Sequence, residues 1–268
     1  EFGRITQLFL DNIESQPTPK GYLKAFNPLT GEESWSIEIP HYWNGGVIAT
    51  EGGVVFQGDA LGMFTAYDKD SGEQLWQFNT YTSMLAPPIT YEIDGVQYVS
   101  ILTGTGGGDL FSGEPLDPVV KPASLNYNNS GRLLVFKLQG SEELPQPNLR
   151  IRDIPKQNIT QVSNSDLKKG EIQYHDFCAG CHGLVARSGG VIPDLRLMGQ
   201  GSHDGFDLIV LDGILSSNGM ASFSDVLTKE DTQLIHNYVK ARAEQDRLVA
   251  AGEIEAGKER LTWLDLED

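Results

Sequence analysis

The two cysteines of the chain stand in the run Cys178-Ala179-Gly180-Cys181-His182. This spacing lets one short segment bring two thiols and an imidazole to one edge of a porphyrin and to its metal. Cys-x-x-Cys-His is the attachment motif of c-type haem. We therefore predict that Cys178 and Cys181 form thioether bonds to a haem and that His182 binds its iron.

A redox dithiol or a zinc site is the alternative reading of the same two cysteines. Zinc would need two further nitrogen or sulfur ligands, and the chain has no third cysteine. A thioredoxin-like dithiol would need a βαβ setting, whereas the surrounding pattern is helical. The spacing therefore favours haem.

Met220, in a Gly-containing loop, is the candidate for the second axial ligand. A thioether on the iron raises the reduction potential and suits electron transfer. Met198 is the competitor, although its leucine neighbours favour a place in the core, and His203 is a third candidate. We expect Met63 and Met84, in the N-terminal half, to be core residues.

Two helices are predicted around this motif. The first begins at a cap near Ser165 and runs to the haem motif, and the second begins at Thr228 with acidic residues in its first turn. Leu234, Ile235, Tyr238 and Val239 share one face of the second helix. Gly170 costs about 1 kcal/mol relative to Ala inside a helix, which indicates a close helix crossing. We also expect the carbonyl of Pro193 to accept the Nδ1 proton of His182, as metal-bound histidines usually require.

A repeat occurs in the N-terminal half. The run from Ala25 to Trp35 aligns with the run from Ala66 to Trp76, and the spacing of about 41 residues is that of one four-stranded propeller blade. In each copy Asn or Asp begins a turn, Gly takes its left-handed position, and Trp ends the next strand, where it can cover the neighbouring blade. The predicted strands are 46–50, 53–57, 63–67 and 74–78 for one complete blade, then 88–92, 96–103 and 133–138 for another.

The predicted organisation is multidomain. Residues 1–140 form the all-β part, 141–163 a proline-containing linker, 164–250 an all-α class I cytochrome c domain, and 251–268 an acidic tail, in which we expect Trp263 to be an anchor. One full blade cannot close a propeller, and open sheet edges are a liability, so we expect further blades upstream of this sequence. The chain begins Glu1-Phe2-Gly3, without an initiating Met, which fits a removed leader or a downstream piece of a longer chain.

The net charge is −17, from 37 acidic and 20 basic residues. A nucleic-acid partner would need a basic footprint, so this class of function is excluded. No apolar run approaches the roughly 18 residues of a membrane span.

The repeat, the linker and the haem motif together resemble the quinohaemoprotein alcohol dehydrogenases, which use pyrroloquinoline quinone (PQQ). The runs 42–46, 86–91 and 94–99 are also similar to that family. The resemblance implies an eight-bladed propeller that holds PQQ and Ca²⁺, of which this chain would contain the last blades. It implies that no catalytic residue lies here, because the family's catalytic Asp and most Ca²⁺ ligands lie upstream.

The resemblance also implies where PQQ contacts this segment. Trp43 would lie near the quinone, with Asn44 beside it, and Gly104 and Thr105 would approach it at the end of a strand. Relatives often have Trp at the position of Thr105.

In function, the resemblance implies that PQQ oxidises an alcohol and that electrons pass through haem c to an external cytochrome, cupredoxin or ubiquinone. It places the protein in the bacterial periplasm. Two alternatives stay open: a related PQQ dehydrogenase for an aldehyde, a sugar, polyvinyl alcohol or a cyclic amine, and a stand-alone electron carrier with a β appendage.

Overall fold

The computed structural model describes residues 20–41, 44–104, 122–150, 153–159, 162–188 and 192–254. These residues divide into two compact units. The first ends at Arg150 and is a β unit, and the second begins after it and is helical. Each unit has its own core and is described by itself.

The β unit contains three antiparallel sheets, which follow one another along the chain. The first pairs two strands, the second has four in sequential order, and the third has three. The strands are β1 (Gly21–Phe26), β2 (Glu33–Ile39), β3 (Asn44–Ala49), β4 (Val54–Asp59), β5 (Met63–Asp68), β6 (Gln74–Asn79), β7 (Ile89–Ile93), β8 (Val96–Thr103) and β9 (Arg132–Lys137). The sequence therefore predicted the complete blade and the three strands after it within a few residues.

The turns of the repeat are built as their residue types predict. A side-chain oxygen of Asp68 accepts hydrogen bonds from the backbone N–H groups of Asp70 and Ser71, and the turn closes at Gly72, where φ is +75°. Asn27 makes the same kind of turn in the preceding copy, where its side-chain oxygen accepts from the N–H of Leu29.

Each repeat tryptophan contacts the sheet that follows its own. The indole N–H of Trp35 donates to the carbonyl of Lys69 at 2.8 Å. Trp76 meets the ring of Phe136, on β9, edge to face at 5.4 Å. The expected role of these residues, to cover the neighbouring blade, is confirmed.

Phe64, Met84, Val99 and Ile101 form the apolar core between the second and third sheets. Met84 is fully buried, as expected of a core residue, and Met63 is partly buried.

Six α-helices are described. They are α1 (Ala123–Asn126), in the long insertion between β8 and β9, then α2 (Asn164–Phe177), α3 (Ala179–His182), α4 (Gln200–Asp204), α5 (Phe206–Val210) and α6 (Lys229–Ala250). The main packing in the helical unit is that of α2 against α6.

The cap of α2 differs from the prediction. Ser163, and not Ser165, has the extended backbone of a cap, and its side chain accepts from the N–H of Asp166. Ser165 lies inside the first turn, where the chain already has helical geometry. Thr228 is the cap of α6 as predicted, in a reciprocal capping box with Asp231.

The close helix crossing at Gly170 is confirmed. A Cβ at this position would lie 2.2 Å from the carbonyl oxygen of Leu234, on α6. Ile235, Tyr238 and Val239 are fully buried on the facing side of α6, and Leu234 is partly buried.

Residues 153–159, which lie in the predicted linker, contain no helix or strand, yet the N–H of Gln157 donates to Glu244 on α6. The tail residue Trp263 lies outside the described part of the chain. Among the helices that the structure describes, none is long and apolar enough to cross a membrane.

Candidate haem site

The haem motif folds as one tight turn of helix. The backbone N–H groups of Cys181 and His182 both donate to the carbonyl of Cys178, at 3.1 and 2.9 Å. Both cysteines are free thiols; Cys178 is buried and Cys181 is exposed. Burial, with a smaller contribution from Cys181, raises the pKa of Cys178 to about 12. Two thiols on one turn fit the thioether chemistry of a c-type haem.

The ring of His182 is held for metal binding. Its Nδ1 is 2.9 Å from the carbonyl oxygen of Pro193, as predicted. Because a carbonyl can only accept, Nδ1 carries the proton and Nε2 keeps its lone pair for a metal. Burial lowers the pKa of His182, which also favours the neutral ring that an iron atom requires.

Apolar side chains surround the motif. Cys178 and Ala179 belong to one buried cluster with residues of α2, α5 and α6, among them Tyr174, Phe206 and Tyr238. Further apolar side chains pack against it and are only partly buried: Phe177, Leu184, Leu195, Met198, Leu211, Met220 and Phe223. An apolar, water-poor setting of this kind suits a haem and is one of the factors that set its potential.

Met220 lies in the loop that follows α5. Its N–H donates to the carbonyl of Leu215 at 3.3 Å, and Gly219 before it takes the left-handed conformation at φ +93°. Most of residues 212–226 are exposed, whereas Met220 and Phe223 are partly buried against the haem-site cluster. The inward position of its side chain suits Met220 as an iron ligand.

The two competing ligands are also in the helical unit. Met198 packs against the same apolar cluster. The Nδ1 of His203 is 2.9 Å from Nε2 of His236, and the two rings stack, so one nitrogen of His203 is already engaged. The assignment of Met220 remains a prediction.

Sequence reasoning missed a histidine that supports the chain after the motif. Val185 and Ala186 have positive φ values of 51° and 61°, a conformation that is strained for a β-branched residue. The N–H of Val185 donates to Nε2 of the buried His175, whose Nδ1 donates to the carbonyl of Glu171. Burial lowers the pKa of His175 to about 4. No spacing in the sequence links His175 to this turn.

A group of five buried charged residues was also missed, and we call it the ion cluster: Arg187, Asp194, Arg196, Arg242 and Asp246. All five lie within the helical unit. A carboxylate of Asp246 accepts from both Arg187 and Arg196, and Arg242 lies 3.4 Å from it. Burial alone would raise the pKa of Asp246, but the three guanidinium groups hold it well below its usual range. Within this cluster, only the Arg242–Asp246 pair could have been predicted from the sequence, because its spacing is one helical turn.

The residues that resemblance places near PQQ are partly described. Asn44 pairs with Asp59 at one end of the second sheet, and Gly45 lies against the backbone of Met84. Met84 in turn forms a parallel bridge with Gly104. The structure therefore brings Asn44 and Gly104 to the same end of the β unit. Trp43 and Thr105 lie outside the described residues.

The side chain of Asn44 has an unsatisfied hydrogen-bond acceptor at this end of the β unit. Its side-chain nitrogen donates to the carbonyl of His41, while its Oδ1 is buried with no hydrogen-bond partner among the described residues. An orphaned acceptor beside a glycine backbone fits a polar planar ligand. No group of three His, Cys, Asp or Glu side chains that could hold a metal ion occurs in the described ranges, so the Ca²⁺ site stays an expectation about other parts of the protein.

Residues 37–99 match the family described as glucose/ethanol/alcohol dehydrogenase, beta-propeller domain. Residues 165–239 match the family described as cytochrome C oxidase, cbb3-type, subunit III.

Curated relatives match most of the chain. Over 84% of it, the chain is 39% identical to quinohemoprotein alcohol dehydrogenase ADH IIB of Pseudomonas putida, of which it covers 32%. It is 35% identical to the dehydrogenase subunit of an alcohol dehydrogenase (quinone) of Gluconobacter oxydans, covering 84% of the chain and 29% of the relative. The chain thus spans about a third of the length of these relatives.

A solved structure agrees with both halves. The quinohemoprotein alcohol dehydrogenase ADHIIG of Pseudomonas putida HK5 matches with a TM-score of 0.74 and 34% identity, over 87% of this chain and 33% of that one. The enzyme of Comamonas testosteroni matches with a TM-score of 0.66 at 28% identity, over 85% of this chain and 32% of that one.

Proposed function

We propose, from the premise that this chain carries the C-terminal propeller segment and the cytochrome c domain of a quinohaemoprotein alcohol dehydrogenase, that the whole protein oxidises an alcohol and sends the electrons out through the helical unit. The observation that carries this proposal is the orientation of the His182 ring for metal binding. Its Nδ1 is held by Pro193 and it follows two free thiols on one turn, in a chain whose β unit matches a PQQ propeller family.

Each residue has a part in this proposal. Cys178 and Cys181 would attach the haem, and His182 and Met220 would bind its iron. Trp43, Asn44, Gly104 and Thr105 would line the PQQ site, and the Ca²⁺ ligands would come mostly from blades upstream. When bound, PQQ supplies the two-electron oxidation of the alcohol and haem c supplies one-electron exchange.

The residues of this chain serve that chemistry by position and by exclusion of water. The apolar cluster keeps the haem site dry, and the Pro193 carbonyl keeps His182 neutral and oriented. At the proposed PQQ site, the backbone around Gly104 leaves room for a flat ligand, because no side chain projects from this residue.

The wider assignments are proposals of the same kind. We place the domains at 1–140, 141–163, 164–250 and 251–268, the protein in the periplasm, and the electron acceptor among cytochromes, cupredoxins and ubiquinone. Cytochrome c maturation and PQQ use support the periplasmic location.

The test is rapid mixing of the full-length protein, loaded with PQQ and haem, with a primary alcohol. We expect the haem absorbance to change from the oxidised to the reduced form, and this change to require PQQ. A matched sample without PQQ is the control. If the haem stays oxidised with a primary alcohol and also with aldehydes, sugars and cyclic amines, while the same protein exchanges electrons with a chemical reductant, the stand-alone electron carrier is the correct reading.

A second candidate function is oxidation of a substrate other than a simple alcohol. A lupanine 17-hydroxylase of a Pseudomonas species is 34% identical to this chain over 84% of it. Relatives of similar identity to this chain therefore have names for different activities. A panel of alcohols, aldehydes, sugars and cyclic amines, read by the same haem signal, separates these substrates.

A further inference from the structure

We propose that Arg196 is a positioning residue for His182: it fixes the peptide that holds the axial histidine and thereby sets the reduction potential of the haem. The proposal rests on the assignment of His182 as an iron ligand. It assigns a function to the ion cluster, which the haem site itself does not explain.

The first contact is between Arg196 and the residue that follows Pro193. Nε and Nη2 of Arg196 donate to the two carboxylate oxygens of Asp194, at 2.9 and 2.7 Å. The backbone N–H of Arg196 donates to the same carboxylate at 3.1 Å. The carboxylate of Asp194 is therefore held from two sides, and the carbonyl that His182 needs belongs to the peptide bond just before this residue.

The second contact ties this loop to α6. Nη1 of Arg196 donates to Asp246 at 2.7 Å. Asp246 also receives both donors of a two-pronged bond from Arg187, which lies just after the haem motif. One buried carboxylate thus anchors the chain on both sides of Pro193, whose carbonyl accepts from His182.

The energetics of buried ions favour a positioning role for the ion cluster over simple stabilisation of the fold. Burying ions costs much of what their attraction returns, and apolar replacements are often equally stable. The five members of the cluster are nevertheless all buried, and Asp194 directly follows the residue that holds His182. Burial by itself would lower the pKa of Arg196, but its bonds to Asp194 and Asp246 raise it above the usual arginine range, so its charge and its planar geometry are permanent.

The consequence for the haem follows from the histidine. A firm bond from Nδ1 to a carbonyl makes the imidazole a better electron donor, and a better donor stabilises ferric over ferrous iron. A loosened Pro193 peptide therefore weakens this bond and moves the potential in the positive direction.

Arg196→Lys tests the proposal, because lysine keeps the charge but cannot make the two-pronged bond. We expect the full-length holoprotein of this variant to keep its low-spin spectrum and to have a more positive potential. The ratio of reduced to oxidised haem at a fixed poise should rise at least about threefold, which corresponds to about 30 mV for one electron. Hydrogen exchange at Nδ1 of His182, read by NMR on the reduced protein, should be faster.

Arg247→Lys is the matched control, because Arg247 lies next to Asp246 on α6 but pairs with Glu244, outside the ion cluster. The potential of this variant should equal that of the wild type. An unchanged potential and Nδ1 exchange in Arg196→Lys would overturn the proposal. If that variant does not accumulate with haem, Asp194→Asn is read in the same way. A wild-type protein without a low-spin histidine spectrum would instead contradict the haem assignment itself.

Discussion

Gly170 on α2 lies directly beneath the carbonyl oxygen of Leu234 on α6. A methyl group at Gly170 would lie 2.2 Å from that oxygen and 3.1 Å from the Cβ of Tyr238. The helix that leads into the haem motif, α2, and the long helix α6 thus approach at a point where only a hydrogen atom fits. The cost of glycine within a helix is offset here by the packing of Ile235, Tyr238 and Val239.

Gly170→Ala should therefore destabilise the helical unit, although alanine is the better helix former. We expect a loss of at least about 1–3 kcal/mol, the usual range for overpacking, because backbone and not a flexible side chain blocks the site. Urea unfolding of the holoprotein, followed by helical circular dichroism, measures it. Gly201→Ala is the control: this glycine of α4 has open space around it, and the substitution should be neutral or slightly stabilising. Equal stability of both variants would argue against the crossing.

Met220→Ala should remove the thioether from the iron and lower the reduction potential, since a methionine ligand raises it. The loss of the Met–iron charge-transfer band and a protein-film or dye-mediated titration would report this. Met198→Ala is the natural comparison, because Met198 packs against the same cluster and should keep the band. If the two results were exchanged, Met198 would be the ligand.

The buried His175 predicts a specific loss of stability in acid. Its pKa is about 4 in the fold against 6.5 for the free side chain, because burial disfavours the charged ring. The unfolded chain therefore binds a proton first, and the contribution of this group is complete above about pH 6.5 and declines as the pH falls toward 4. Linkage gives a loss of about 2 kcal/mol between pH 7 and pH 5.

Unfolding free energies at these two pH values, for wild type and for His175→Gln, measure this term. The variant should be less stable at pH 7 but should lose less stability on acidification. His236, whose pKa burial also lowers to about 4, supplies a slope that both proteins share. An identical pH dependence in the two proteins would show that His175 does not titrate as the structure requires.

The two repeat turns have Asp68 and Asn27 at equivalent positions, which allows a comparison of the two residue types. The carboxylate of Asp68 accepts from the N–H groups of Asp70 and Ser71 and from the hydroxyl of Ser71, while Asn27 fills the equivalent position one repeat earlier. Asp68→Asn should leave the unfolding midpoint of the full-length protein nearly unchanged. Asp68→Ala should lower the unfolding midpoint, because the N–H groups of Asp70 and Ser71 lose their acceptor. A charge requirement at this turn would show as a loss in the Asn variant.

Some interactions were predictable because the residues that make them are close in sequence or carry their own chemistry. The bond from His182 to Pro193 joins two ends of one short loop, and the prediction of it is confirmed. The cap of α2 was misplaced by two residues, because Ser163 and Ser165 have the same chemistry and only the backbone conformation distinguishes them.

The sequence by itself determined the haem motif, the repeat with its turns and tryptophans, and most strand bounds, because each depends on residue types at short, fixed spacings. Only the tertiary structure decided how the ion cluster forms. Arg187 and Arg196 meet Asp246 across a long stretch of chain, and charged residues at such separations leave no periodic pattern, so their partners are set by the way α6 packs on the haem loop. Within the β unit, contacts between its sheets likewise bring Asn44 and Gly104 to one end, through a bridge at Met84 that no local pattern encodes.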